Sequence, residues 1–289
     1  MTAIFSQAET GVTRQEMITA MVQRALRERA QLVPTIRDVS EFAQPGHDSI
    51  SFPRRDGKFN IVNLAENADA STQKYDYEND KLDLNQHAMI AWFIKKRANY
   101  QSVVDIEADT IAEAAAEHAI DVDRKIMAAM VAGASEDNDI FTGAGSSAIM
   151  TKDTVLEVKE KLQKATKLNP RTANFFLLVD SARERELLNI PEFVKSNEYG
   201  SDQAITSGEL GRLFGLRVLI TDEDDLDGHA LGYVSQGTIY GNQMAPDFRE
   251  LYIPRRAGTE YALDQLYGTR VLDGGKYISK VTFDDEPGE

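Results

Sequence analysis

The densest chemistry in the chain is the stretch Ile220 to Val234, ITDEDDLDGHALGYV. There Asp222, Glu223, Asp224, Asp225 and Asp227 place five carboxylates within the seven residues Asp222 to Gly228. Such a cluster could hold a divalent cation, and a held cation could activate water for hydrolysis. Glu223, Asp225, Asp227 and Gly228 match positions 1, 3, 5 and 6 of a calcium loop, but position 12, a bidentate Glu in that motif, is Val234. The flanking segments also read as strands where the motif needs helices. The stretch therefore reads as a solvated hairpin loop whose Asp and Gly residues supply turn geometry, with weak, non-specific cation binding. A cation-dependent hydrolase using Asp222 to Asp227 is the catalytic alternative.

Other motifs carry less. Gly143-Ala-Gly145-Ser-Ser-Ala148 has the outline of a dinucleotide fingerprint, but EDNDIF precedes it where a strand is required, so it reads as a flexible linker. Gly208-Glu-Leu-Gly211-Arg-Leu-Phe-Gly215 lacks the Gly-Lys-Ser/Thr of a phosphate loop, and its glycines read as turns leading into LRVLIT. His47, His87, His118 and His229 show no metal-ligand spacing, and His118 falls on an apolar helix face as a packed side chain. There is no cysteine, which excludes disulfides and thiolate chemistry, and no Gly-x-Ser-x-Gly elbow. No catalytic, cofactor-binding or metal-ligating residue is assigned, and the chain reads as a non-enzyme.

Length and charge narrow the class. A chain of 289 residues with 42% hydrophobic and 27% charged residues can build a sizeable core. The N-terminal MTAIFSQAETGVTRQEMITA lacks the basic and apolar regions of a secretory leader, and no run of about 18 apolar residues occurs. A net charge of −15 opposes tight or sequence-specific nucleic-acid binding, which needs a cationic surface.

The elements that must carry these residues follow from periodicity. Met17, Met21 and Leu26 suggest a short amphipathic helix within 11–30, followed by an extended arm to Pro45-Gly46. Residues 48–86 alternate as two strands (Ile50, Phe52, Phe59, Ile61, then Tyr75, Tyr77, Leu82, Leu84) with phase slips that suggest bulges. Only eight of these 39 residues are Val, Ile, Leu or Phe, too few to order a ribbon that is marginal by itself, so ribbon and arm are expected to gain their order only against neighbouring copies. Residues 88–102 read as strand or helix. Ile111, Ala115, His118, Val122, Ile126 and Ala129 then define one stripe of a long helix ending at Gly133. After the polar linker SEDNDIFTGAGSS come a helix over 151–166 and a buried strand at 174–179. Ser181-Ala-Arg-Glu184 reads as a capping box, and its helix must stop before Pro191. Strands at 216–221 and 230–235 flank the acidic stretch, and the tail is β: 261–272, a tight turn at Asp273-Gly274, then 277–283.

This order of elements resembles the tailed-bacteriophage major capsid protein family, the Hong Kong 97-like fold, over almost the whole chain. Residues 74–131 resemble the second strand of that family's extended loop running into the peripheral strand and spine helix. Residues 177–221 resemble its axial domain, where a Pro-x-Phe … Gly-x-(Leu/Ile)-Gly-x-(hydrophobic)-x-Gly-x-x-Val progression falls on Pro191, Phe193, Gly208, Leu210, Gly211, Leu213, Gly215 and Val218. Residues 252–275, YIPRRAGTEYALDQLYGTRVLDGG, resemble the closing peripheral strands.

The resemblance implies an α+β fold with an N-terminal arm (1–47), an extended β-hairpin loop (48–86) and a peripheral domain with the spine helix (87–132). An axial domain (133–247) and the C-terminal part of the peripheral domain (248–289) complete it. It implies a structural subunit without cofactor that self-assembles through pentamers and hexamers into an icosahedral shell around double-stranded DNA contacted non-specifically. The implied partners are a separate scaffolding protein, a portal protein at one vertex and a decoration protein. The implied setting is the virion, assembled in the bacterial host cytoplasm. A wall rich in carboxylates would repel packaged DNA and leave it mobile. Arg54, Arg55 and Lys58 near the bend of the ribbon, with Tyr75 and Tyr77, are the expected assembly contacts. An encapsulin-type nanocompartment shell is the alternative within the same fold.

Overall fold

The computed structural model describes residues 30–56, 76–101, 106–144, 149–170, 173–190, 211–221, 226 and 228–284. The helix expected within 11–30 lies almost wholly outside them.

The first of two larger sheets is built on a long antiparallel pair, β10 (Thr238–Ile253) and β11 (Gly258–Val271), turning through Pro254–Arg256. Strand β10 escaped the sequence reading because Gly241 and Pro246 interrupt its alternation. Register shifts at Asn242/Met244 and Met244/Asp247 absorb the proline, since a residue without an N–H is tolerated at a bulge. Strand β4 (Gln86–Lys95) joins β11 on one side, and the short β1 (Arg37–Asp38) joins β10 on the other, giving the order β1-β10-β11-β4. The ambiguous 88–102 run thus begins as strand and continues into helix α1 (Lys96–Gln101).

The second sheet has the order β5-β12-β9-β6-β8-β7. Its strands are β5 (Ile140–Ala144), β6 (Phe175–Asp180), β7 (Arg212–Leu213), β8 (Leu216–Thr221), β9 (His229–Val234) and β12 (Ile278–Asp284). Part of the expected polar linker is therefore an edge strand, β5, paired in parallel with β12. Strand β6 lies between β8 and β9, so the acidic stretch joining those two is a crossover and not a hairpin loop. Leu226 within it is buried with Ile126, Phe176 and Leu231.

Helix α3 (Lys152–Thr166), capped by Thr151 accepting from the Thr154 N–H at 3.3 Å, covers one face of this sheet through Val155, Val158 and Leu162. It lies so close to β9 that a Cβ on Gly232 would strike Val158. Helix α4 (Ser181–Leu188) stops before Pro191 as expected. Its N-cap is Asp180, with no side-chain cap bond, so Ser181 opens the helix as its first residue and the capping box does not form.

Helix α2 (Ile106–Gly133) ties the sheets together. In its first half Ile111 and Ala115 pack on Phe248, Tyr261 and Leu263 of the first sheet. In its second half Val122, Ile126, Met127 and Met130 share one cluster with Phe176, Leu231 and Tyr233 of the second sheet and Tyr240 and Tyr267 of the first. The expected stripe holds from Ile111 to Ile126; at its end Met130 is buried and Ala129 only half-buried. Gly133 closes the helix for a packing reason rather than a left-handed cap: a Cβ there would lie 2.8 Å from Val271.

Asp273, Gly274 and Gly275 follow one another at φ of 55°, 60° and 77° and carry the chain from β11 in one sheet to β12 in the other. The tight turn forms as expected, but it does not pair the strands it joins.

A polar chain crosses the apolar interface beneath α2. His118 Nε2 lies 2.7 Å from Gln265 Oε1, and Gln265 Nε2 donates to Tyr240 Oη at 2.8 Å. Because the amide nitrogen donates to the tyrosine, its oxygen must accept, so neutral His118 carries its proton on Nε2. Burial holds the His118 pKa below the usual histidine value, against opposing contributions from the Gln265 hydrogen bond and from Asp121 and Asp264. A folded-state pKa below the unfolded one costs stability as pH falls through the unfolded value, because only the unfolded chain then takes up the proton. Lowering the pH from about 7.5 to about 5.5, across the ordinary histidine value of about 6.5, should lower the melting temperature. In His118→Gln the slope of melting temperature against pH should be shallower. An unchanged slope would remove His118 as its source.

Candidate functional site

The part of the molecule that offers a surface rather than a pocket is the ribbon of β2 (Ser49–Asp56) and β3 (Asp76–Asp83). Its register runs without a break from Ser49↔Asp83 to Asp56↔Asp76, so the described portion contains no bulge at the expected slip between Tyr77 and Leu82. One face carries Ile50, Phe52 and Arg54 opposite Leu82, Asp80 and Glu78; the other carries Tyr77.

The first face is seated on its own chain. Leu82 and Leu84 are buried with Val39, Ala43 and Ile239, while Ile50, Phe52 and Leu272 pack around them. The floor of this seat is a pair of glycines, Gly241 on β10 and Gly268 on β11, which are register partners. A Cβ on Gly241 would lie 3.0 Å from Leu82 Cδ2. One on Gly268 would strike the Asp83 carbonyl oxygen and come within 3.3 Å of Leu84 Cα. The absence of two side chains at one crossing point lets the ribbon's backbone lie directly on the sheet.

Charges border the seat. Arg54 pairs with Glu78 across the ribbon, and its Nε lies 3.8 Å from Asp273. The Asp273 N–H donates to Asp80 at 3.2 Å, and Lys276 Nζ reaches the Asp273 carboxylate at 2.6 Å. A groove of about 690 Å³ lined by Arg37, Phe52, Pro53, Asp80, Lys276 and Tyr277 runs alongside.

The arm is held just as directly. Asp123 of α2 accepts from the Gln31 N–H at 2.7 Å and the Leu32 N–H at 3.3 Å, and Thr35 Oγ1 lies 2.7 Å from Tyr233 Oη. Leu32, Ile36 and Val39 are buried. The expectation that arm and ribbon find partners only on neighbouring molecules therefore fails for their described portions. Within their described portions, Val39, Ala43, Ile50, Phe52, Leu82 and Leu84 meet the body.

Of the expected contact residues, Arg54 is engaged within its own chain and Tyr77 is exposed on the outward face at 62%. Lys58, Tyr75 and the Arg55 side chain lie outside the described residues. Leu82, Leu84, Asp273 and the two glycines were not singled out from the sequence. The leucines were visible as alternating positions, but their partner surface was not.

The candidates for small-molecule chemistry gain no support. Asp222–Asp225 and Asp227 lie outside the described residues, as do Gly145–Ala148 and Gly208. Among the described residues no group of three or more His, Asp or Glu is placed to hold a metal ion. Also among them, no helix is long and apolar enough to cross a membrane.

No sequence-family profile matches the chain, and no curated protein matches it in sequence. Its fold has clear counterparts. It superposes on a structure from Mycobacterium phage Che8 with TM-score 0.69 and 17% identity, covering 87% of this chain and 90% of that one. A capsid asymmetric unit of cyanophage Pam1 gives 0.70 at 12% identity, covering 90% and 93%. A virus-like particle from Pyrococcus furiosus gives 0.62 at 10%, covering 93% and 99%. The chain has the Hong Kong 97-like fold of major capsid proteins, as the order of its elements implied.

The seat predicts its own sensitivities. Gly268→Ala forces a side chain against ribbon backbone and should destabilise by about 1–3 kcal/mol, with faster limited proteolysis within 49–83. Cleavage and melting indistinguishable from the parent chain would refute the close contact. Leu82 is fully buried, so Leu82→Ala should lower stability by about 2–5 kcal/mol. Arg54 and Glu78 keep 30% and 55% of their side chains exposed, so Arg54→Ala should cost at most about 1 kcal/mol. Denaturant titration of the two variants checks that the apolar contact dominates.

Proposed function

We propose that the chain is the major capsid protein of a tailed bacteriophage, a structural subunit that assembles through pentamers and hexamers into an icosahedral shell around double-stranded DNA. One observation carries this reading: about nine-tenths of the chain superposes on about nine-tenths of subunits from phage capsids, so the likeness extends to the whole architecture and not to one domain. The ribbon supports it. Its inward face is seated on the body while its outward face, with Tyr77, is presented to whatever lies beside the molecule.

On this reading, residues 1–47 serve as the arm, 48–86 as the extended loop and 87–132 as spine helix and peripheral strand. Residues 133–237 together with β12 form the axial domain, and β10 and β11 complete the peripheral domain, because β10 pairs into the first sheet and β12 into the second. Arg55, Lys58, Tyr75 and Tyr77 belong to contacts with adjacent subunits, and Arg54 sets the ribbon's angle through Glu78 and Asp273. A scaffolding protein assists assembly in the bacterial cytoplasm, a portal protein occupies one vertex, and a decoration protein binds the finished virion.

The superposition on the Pyrococcus furiosus virus-like particle supports a second reading, an encapsulin-type compartment. Negative-stain microscopy of the purified chain, alone and with a candidate scaffolding protein, separates the two. Hollow particles of uniform size that need the scaffold are the expected result. Closed shells from the chain alone, with protein cargo inside, would favour the compartment. Small discrete oligomers under every condition would overturn both.

A further inference from the structure

In a chain of net charge −15, one end of the first sheet is strongly cationic. Strand β4 finishes at Lys95, opposite Gly258, and Lys96 and Arg97 open α1. The Lys96 N–H donates to the Ala257 carbonyl at 3.0 Å, which places these residues against Arg255 and Arg256 in the β10–β11 turn. All five cations are exposed, and none forms an ion pair with a described carboxylate. Arg256 lies 5.9 Å over the Phe93 ring, and Lys96 lies 5.9 Å over Tyr100, itself 80% exposed.

The opposite charge is concentrated on α2. Asp109, Glu113 and Glu117 follow one another at steps of four on the face turned away from Ile111, Ala115 and His118. They form a ridge on the order of 12 Å long, exposed and without an ion pair to a described cation. Like charges at this spacing oppose helix formation. Five other exposed carboxylates are matched within the chain, Glu157 by Lys161, Glu160 by Lys164, Asp247 by Arg249, Asp83 by Lys81 and Glu78 by Arg54, whereas the remaining exposed ones, such as Glu41, Glu136 and Asp137, do not form a ridge at helical spacing.

Among the described residues, no tip cation pairs with the ridge within one molecule. Phe93 and Arg256 lie on the face of the sheet opposite α2, because Trp92 and Ile94 take the helix side, whereas the ridge lies on the far side of α2. We infer that the cationic tip docks on the α2 ridge of a second copy of this chain. Two different surfaces then meet, which is a heterologous contact that propagates from copy to copy until rotation closes it. The inference rests on the shell reading and names one of its contacts.

The full-length chain tests it as a mixture of ¹⁴N- and ¹⁵N-labelled copies, assembled together and treated with a zero-length carbodiimide that joins lysine to carboxylate. Mixed-isotope peptides linking Lys95 or Lys96 to Glu113 or Glu117 are expected, as both groups are exposed and screened beyond about 8 Å at physiological salt. Lys96→Glu/Arg255→Glu/Arg256→Glu, or Glu113→Lys/Glu117→Lys, should each lower particle yield about tenfold or more, and the combined swap should restore it. Matching thermal melts show that the variants fold. Assembly unaffected by either reversal, or a swap that does not rescue, overturns the contact while hollow particles from the parent chain leave the shell reading intact. A tip reversal that removes only co-purifying nucleic acid, with particles unchanged, also overturns it. A parent chain that never leaves the monomer overturns both readings.

Discussion

Helix α2 has apolar partners in both sheets, and the rest of the structure depends on that shared burial. Ile111 and Ala115 face the first sheet, while Val122, Ile126 and Met130 sit in a cluster fed by both. The cost is a polar chain, His118, Gln265 and Tyr240, carried across the interface with its hydrogen bonds closed. Such a chain tolerates little shear, because displacing one member leaves buried groups without partners.

The peripheral parts are built differently. The ribbon and arm own few apolar residues, but Leu82, Leu84, Val39 and Leu32 are spent at the points of attachment. Two glycines that face each other across β10 and β11 make the attachment possible by removing the side chains that would hold the ribbon away. A thin element is thereby fixed at its base and left with an outward face for other molecules.

Much of this was legible in the residues, and the losses have physical causes. The 3.6-residue spacing of Ile111, Ala115, His118, Val122 and Ile126 defined α2, and the unbroken apolar run of β6 defined a buried strand. Strand β10 was hidden because Gly241 and Pro246 break alternation, and only the bulges reveal how the sheet accommodates them. The acidic crossover was misread as a hairpin because nothing local reports that β6 inserts between β8 and β9. The capping box at Ser181 failed because the helix starts one residue early relative to that motif, with Asp180 at the N-cap. The ribbon seat and the cationic tip are properties of register: Gly241 with Gly268, and Lys95 with Gly258, are far apart in sequence and meet only through strand pairing. The order of elements conveyed the architecture, while the surfaces that would do the work depend on those pairings.

The run of left-handed residues at 273–275 has a mechanical meaning. It links the two sheets, it abuts the end of α2 at Gly133, and its aspartate accepts charge from the ribbon and from Lys276. A push on the ribbon near Asp56 and Asp76 would act as torque on a lever whose fulcrum is this joint. The load would divide between two sheets instead of bending either, so strain imposed at the rim of one molecule would be felt at its centre.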